Sequence, residues 1–291
     1  MGVKVRIGLV VKYPSDSWYV TGRWRGWMRA KRAVLREEAE GARPLEYLIA
    51  YAAMAGSPNS NLRAFNHAVH TLLKQPAQFL PHLTIPTFTY LPEELGPHLV
   101  PSDPNTSKTK IPTIRALVLD KDNTLCPPKT TTFPPQILSK LAALRQSPTS
   151  PFRHPNSILI VSNRAGSHSK YDHEISSLES QLAHLSIPVF RLPNGVEKKP
   201  FCGDEVVQWL REREVVDSPD QIAVVGDRLG TDVVMAGLMG SWSVWCKEGV
   251  FEPGEVGKPE RNILEKMEFW VEKYLRGKGY KAPMPRGWEE A

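Results

Sequence analysis

The second half of this 291-residue chain predicts an α/β protein built on a parallel sheet covered on both faces. Three observations carry that expectation. From residue 111 onward, apolar runs alternate with helical patterns. Leu117, Val118 and Leu119 read as the end of a buried strand. Several such runs stop abruptly at polar residues, and open α/β sheets put their sites at the carboxyl ends of strands.

The elements follow in order. Residues 1–56 are a basic extension, and the first 36 carry nine Lys or Arg against one acidic residue, Asp16. Arg-rich, acid-poor N-termini resemble mitochondrial presequences; the alternative is a disordered basic tail ahead of a start at Met54. Residues 57–110 are an amphipathic helix, a proline-rich arm and a linker. Leu62, Phe65, Val69, Leu72 and Leu73 fall on one helical face, fit to lie on a bilayer or to pack on the main domain. Pro76, Pro81, Pro86, Pro92 and Pro97 then exclude a long helix and imply extended chain. Residues 101–110 read as polar linker. Residues 111–291 are the main domain. Its strands are expected at 114–119, 157–161, 187–190, 222–225 and 242–245. Its helices are expected near 135–145, 171–185, 203–213, 231–238 and 262–275, the last with Ile263, Met267, Trp270 and Tyr274 on its packing face.

Composition narrows the function classes. Apolar residues make up 41% of the chain and charged residues 23%, as in a globular protein. The net charge of +6 favours an anionic partner without choosing among nucleic acid, phosphate ester and anionic membrane. Three widely separated cysteines (Cys126, Cys202, Cys246) give neither a disulfide framework nor a zinc spacing, so a reducing compartment is expected. No run approaches the ~18–20 apolar residues that span a bilayer; work at a membrane would be done from its surface.

Four strand-end motifs carry the chemistry. "VLDKDNT" contributes Asp120, Asp122 and Thr124; "LIVSN" contributes Ser162 and Asn163; "EKKP" contributes Lys198 and Lys199; "VVGDRLGTD" contributes Asp227 and Asp232. Asp120 and Asp122 stand at i and i+2 where a strand gives way to a loop, so their like charges share a face. A divalent cation, or a proton on one of the pair, would reconcile them. Each motif alone is common. All four in order, each beyond an apolar run, are specific.

With these motifs, residues 111–250 resemble the haloacid dehalogenase superfamily of phosphatases. The resemblance implies a Rossmann-like sheet, an Asp120 nucleophile that forms an aspartyl phosphate, and Asp122 as general acid and base. It also implies Mg²⁺ bound by Asp120, the backbone carbonyl of Asp122 and Asp227, with Asp232 in support. Ser162 would hold a phosphoryl oxygen, with Asn163 and Thr124 beside it. The family pattern puts its lysine directly before a proline, favouring Lys199 over Lys198. A narrower resemblance, over about 60–275, rests on "LDKDNT", "VSNRAGS", "KKP", "GDRLGTD", "AGLMGS" and "LPHLTIPTFTYLP". It is to the family of fungal mitochondrial phosphatidylglycerophosphatases, which dephosphorylate phosphatidylglycerophosphate in cardiolipin biosynthesis.

Only 39 residues separate Asp122 from Ser162, and 36 separate Ser162 from Lys199. Neither interval has room for a substantial cap domain, so a large or membrane-borne substrate is expected. Lys121, Arg164 and Arg228 flank the motifs and are expected to read a second phosphate. The expected partner is anionic phospholipid at the matrix side of the mitochondrial inner membrane, met peripherally. Nucleic acid is not expected, and a homo-oligomer is left open. The rival readings are a phosphatase of phosphoproteins or nucleic-acid ends, and a peripheral protein that binds anionic lipid without turnover.

Overall fold

A computed structural model describes residues 62–100, 110–193, 195–255, 260–261 and 263–288. The basic extension expected over residues 1–56 lies outside the described residues. In chain order the helices are α1 (Leu62–Lys74), α2 (Gly96–Leu99), α3 (Pro135–Gln146), α4 (Asp172–Leu182), α5 (Gly203–Arg211), α6 (Val234–Met239) and α7 (Ile263–Gly277). The strands are β1 (Leu83–Ile85), β2 (Ala116–Asp120), β3 (Ile158–Val161), β4 (Val189–Phe190), β5 (Ile222–Gly226) and β6 (Trp242–Cys246). All six form one parallel sheet in the order β1-β6-β5-β2-β3-β4.

Strands β2, β3, β5 and β6 are buried along their whole length, and successive side chains serve opposite faces. On one face, Leu117, Leu119, Ile158, Ile160, Ala223 and Val225 meet Ile137, Leu141 and Leu144 of α3 and Ile175, Leu178 and Leu182 of α4. On the other, Ala116, Val118, Leu159, Val161, Ile222 and Val224 meet Val206, Val207 and Leu210 of α5 and Met235, Ala236 and Met239 of α6. Each fully buried aliphatic side chain contributes about 1.5–3 kcal/mol. The two interleaved sets therefore fix the register as well as the stability, since a one-residue slip would exchange them. No cap domain interrupts the chain between Asp122 and Ser162, where α3 is the only helix.

The five expected strands and all the expected helices form. The sixth strand, β1, arises where the sequence suggests an extended arm. Leu83–Ile85 pairs in parallel with Val244–Cys246. The flanking prolines are tolerated because β1 is an edge strand, and Pro86 contributes only a carbonyl, which accepts from Glu248 N at 2.8 Å.

Of the expected face of α1, the side chains of Leu62, Phe65 and Val69 lie outside those described, and the other two divide. Leu72 is buried, with Ala68, against Leu229, Val233, Met267 and Val271, whereas Leu73 is 57% exposed. Among the described side chains, which do not include Ile263, the packing stripe of α7 is Met267, Val271 and Leu275, with Trp270 and Tyr274 stacked 5.0 Å apart at its margin. Helices α1 and α7 thus cover the turn that follows β5.

Candidate active site

Register sets the depth of the site. Asp120 pairs with Val161 across β2–β3, and Leu119 with Val225 across β2–β5. Asp120 ends β2, Ser162 follows β3, and Asp227 follows β5. The three emerge within a residue of one another on adjacent strands, on both sides of the point where strand order reverses. Beyond Asp227 the chain makes a π-helical turn, Leu229–Val233, of the kind that recurs at functional sites. That turn folds Asp232 back over Gly226, where a Cβ would lie 2.3 Å from the Asp232 carboxyl carbon. Only glycine fits there. Arg228 N donates to Asp232 Oδ2 at 3.2 Å.

Lys199 reaches the same point from the loop between β4 and α5. Its Nζ donates to Asp120 Oδ1 and, at 2.8 Å, to Asp232 Oδ1. Its backbone N donates to Asn163 Oδ1 at 2.9 Å, so the turn after β3 fixes the lysine's loop. Lys198 is exposed. Asn123, in left-handed backbone with φ 61, donates from Nδ2 to Asp227 Oδ2 at 2.8 Å. Trp245 Nε1 donates to Asp227 O at 2.9 Å.

One oxygen from each of Asp120, Asp227 and Asp232 lies within 4.8 Å of the others, and all three residues are buried. Burial raises the Asp120 pKa; Lys199 opposes the shift and Asp232 adds to it, leaving the group at about 7. Burial, then the Asp120 charge, pushes Asp227 well above the usual carboxylate range, with Arg228 opposing. Burial would lower Lys199, but Asp120 and Asp232 outweigh it and raise the ammonium's pKa. This is a cluster short of positive charge. Convergent carboxylate oxygens are the donor set of a hard divalent cation such as Mg²⁺, and these residues fit one. The Asp122 side chain stands outside the cluster; its expected contribution to a cation is the backbone carbonyl.

Asp122 is partly exposed, and its Oδ1 accepts from Lys129 N at 2.9 Å and pairs with Lys121 Nζ at 2.9 Å. Ser162 is buried at the end of β3, with Oγ accepting from Arg164 N at 3.3 Å. The remaining expected contacts fall elsewhere. Thr124 is fully buried, and its hydroxyl has no hydrogen-bond partner among the described residues. Asn163 holds the backbone of Lys199. Lys121, expected to read a second phosphate, is buried, its ammonium satisfied by Thr130 O at 2.8 Å and by Asp122. Arg164 pairs with Glu174 at 2.9 Å, and Arg228 pairs with Glu268 at 3.4 Å.

Sequence reasoning missed Asn123, Trp245 and Glu268. Asn123 lies inside a quoted motif and its left-handed backbone suits Asn, so motif position could have found it. Glu268 gives no local signal. It is a buried carboxylate on α7 that accepts from Gly230 N at 3.1 Å and pins the turn carrying Asp232.

Comparison with known proteins adds three findings. The family model described as "Mitochondrial PGP phosphatase" matches residues 62–251. A Saccharomyces cerevisiae mitochondrial phosphatidylglycerophosphatase is 35% identical over 197 residues, covering 68% of this chain and 89% of that protein. A Schizosaccharomyces pombe protein named "Probable phosphatidylglycerophosphatase, mitochondrial" is 30% identical over 208 residues, covering 70% of this chain and 87% of its own.

Proposed function

The chain belongs to the mitochondrial PGP phosphatase family, and from that premise we propose that it hydrolyses the terminal phosphate of phosphatidylglycerophosphate at Asp120, on the route to cardiolipin. The observation that carries this reading is the buried Asp120–Lys199–Asp232 contact beside Asp227, at the carboxyl edge of the central strand. Phosphoryl transfer asks a protein mainly for positioning and charge neutralisation, and this cluster is organised for both.

Asp120 attacks phosphorus, and the bond from phosphorus to the glycerol oxygen breaks. Asp122 gives its proton to the departing alkoxide. Water then attacks the aspartyl phosphate, Asp122 takes the water's proton, and inorganic phosphate leaves with Asp120 restored. Lys199 orients the nucleophile and sets a fixed positive charge beside the transferring group. The Ser162 hydroxyl donates to a phosphoryl oxygen. Asp120, Asp227, Asp232 and the Asp122 carbonyl would hold Mg²⁺, which supplies further positive charge to the phosphoryl oxygens.

The enzyme works as a peripheral protein on the matrix face of the inner membrane. In support, the relatives are named mitochondrial, and no helix among the described residues is long and apolar enough to cross a membrane. The formal charge of +6 suits an anionic leaflet.

The test is phosphate release from phosphatidylglycerophosphate, a phosphopeptide and a 5′-phosphorylated oligonucleotide, with Mg²⁺ or chelator. The lipid is expected to be preferred, and Asp120→Asn and chelation are each expected to abolish turnover. Preference for either other substrate, or full activity of Asp120→Asn, would overturn the reading.

A further inference from the structure

The contacts of Lys121, Arg164 and Arg228 leave open which groups meet the remainder of the head group. A cleft of about 510 Å³ opens beside Asp227 and Asn123. Its walls are the 127–129 loop, the strand end and turn from Trp245 to Phe251, and the α7 side with Phe269. Because Asn123 bonds Asp227 directly, the cleft begins at the carboxylate cluster itself. The turn is pressed against this end: a Cβ on Gly249 would lie 2.6 Å from the Asn123 amide.

Two exposed lysines stand on separate walls. Lys129 has φ 65, a conformation that costs an L-residue about 1–2 kcal/mol. In that geometry its backbone N–H donates to Asp122, and the residue lines the cleft. Lys247 follows the last residue of β6, and its N–H donates to Ile85 O at 3.0 Å, so the sheet edge holds it. The cleft also has acids. Glu248 pairs with Arg261, and Glu268 with Arg228 and Gly230 N–H. Glu260 and Glu265 belong to the α7 side. Lys129 and Lys247 are therefore the exposed cations of the lining, since Arg261 is half-buried and held against Glu248.

We propose that this end of the cleft binds the second, diester phosphate of the lipid head group, with Lys129 and Lys247 as its specificity-determining cations. The proposal rests on the phosphatase reading above for the position of the scissile phosphate, one glycerol unit away at Asp120. Two lysines on separate walls suit a diester, which offers two unesterified oxygens and one negative charge. A simple phosphomonoester would reach Asp120 without engaging them.

The experiment uses Lys129→Gln, Lys247→Gln and the double variant, each checked by its unfolding midpoint. Calorimetric titration with dihexanoylphosphatidylglycerol, which carries the diester and no terminal phosphate, reads the cleft directly, with inorganic phosphate as the control for general charge. The double variant is expected to bind the diester about tenfold more weakly, as for loss of a charge-assisted contact, and to lose less for inorganic phosphate. The kcat/KM ratio for short-chain phosphatidylglycerophosphate over glycerol 3-phosphate should fall by a similar factor. Undiminished diester binding, or equal losses for diester and inorganic phosphate, would overturn the proposal. If phosphatidylglycerophosphate is not hydrolysed at all, the proposed function fails, while the titration still decides the cleft.

Discussion

Replacing Lys199 with Met keeps an unbranched side chain one heavy atom shorter and removes its charge. In the native chain its ammonium, 4% exposed, bonds Asp120 and Asp232 and stands near Asp227. Removing one partner of a buried ion pair costs about 3–5 kcal/mol, because the other is left buried and uncompensated. The cost is bounded by protonation, since a carboxylate can neutralise at 1.36 kcal/mol per pKa unit. Asp120 already titrates at about 7. Its charge is therefore largely absent at pH 5.5 and largely present at pH 8. Urea unfolding in chelator should show a loss of about 3–5 kcal/mol at pH 8 and a smaller loss at pH 5.5. Mg²⁺ should restore part of the difference at pH 8 by binding only the folded cluster. Turnover should fall by about 10²–10³, as for loss of one preorganised donor to the transition state. A stability loss under ~1 kcal/mol at pH 8, or equal losses at both pH values, would refute this account of the cluster.

Two further outcomes follow from the same geometry. The folded-state pKa of Asp120 is raised above its unfolded value, so its contribution is fully present below the unfolded value, near 4, and fades as pH rises through about 7. In chelator, thermal melts should show the wild type losing stability relative to Asp120→Asn between pH 5 and pH 8, and Mg²⁺ should flatten that slope; a flat difference without metal would count against it. Glu268→Ala removes the acceptor for Gly230 N–H and the partner of Arg228, at a cost of about 1.5–3 kcal/mol. It should raise the Mg²⁺ concentration needed for half-maximal activity, with Glu268→Gln intermediate because its carbonyl still accepts from Gly230; an unchanged Mg²⁺ requirement in both variants would show that α7 does not govern Asp232.

The sequence reveals what local physics controls. Buried parallel strands are continuous apolar runs, so the end of each run marks where Asp120, Ser162 and Asp227 emerge, and a shared sheet edge makes them neighbours. Lys199 is harder to read. Its 79-residue separation from Asp120 has no periodicity, and only the adjacent proline in a family pattern distinguishes it from Lys198. Lys121 and Thr124 share a motif with Asp120, but the loop turns both inward, and proximity in sequence says nothing about that turn. Glu268 acts across 38 residues on a backbone N–H, a contact no composition or spacing reports. Strand β1 is three residues long between prolines, too short for a period of two to show.

That short strand also decides where the folded enzyme begins. A chain cut to start at residue 111, where the apolar alternation sets in, would lack β1 and bare the peptide groups of Val244–Cys246, which now pair with Leu83–Ile85. An uncovered flat edge is a template for strands of other molecules, so such a fragment should clump rather than stay monomeric, even with every motif residue intact. Any proteolytic trimming of the N-terminus compatible with a dispersed enzyme must therefore stop short of His82, whose N–H already bonds Ser243 O at 3.1 Å.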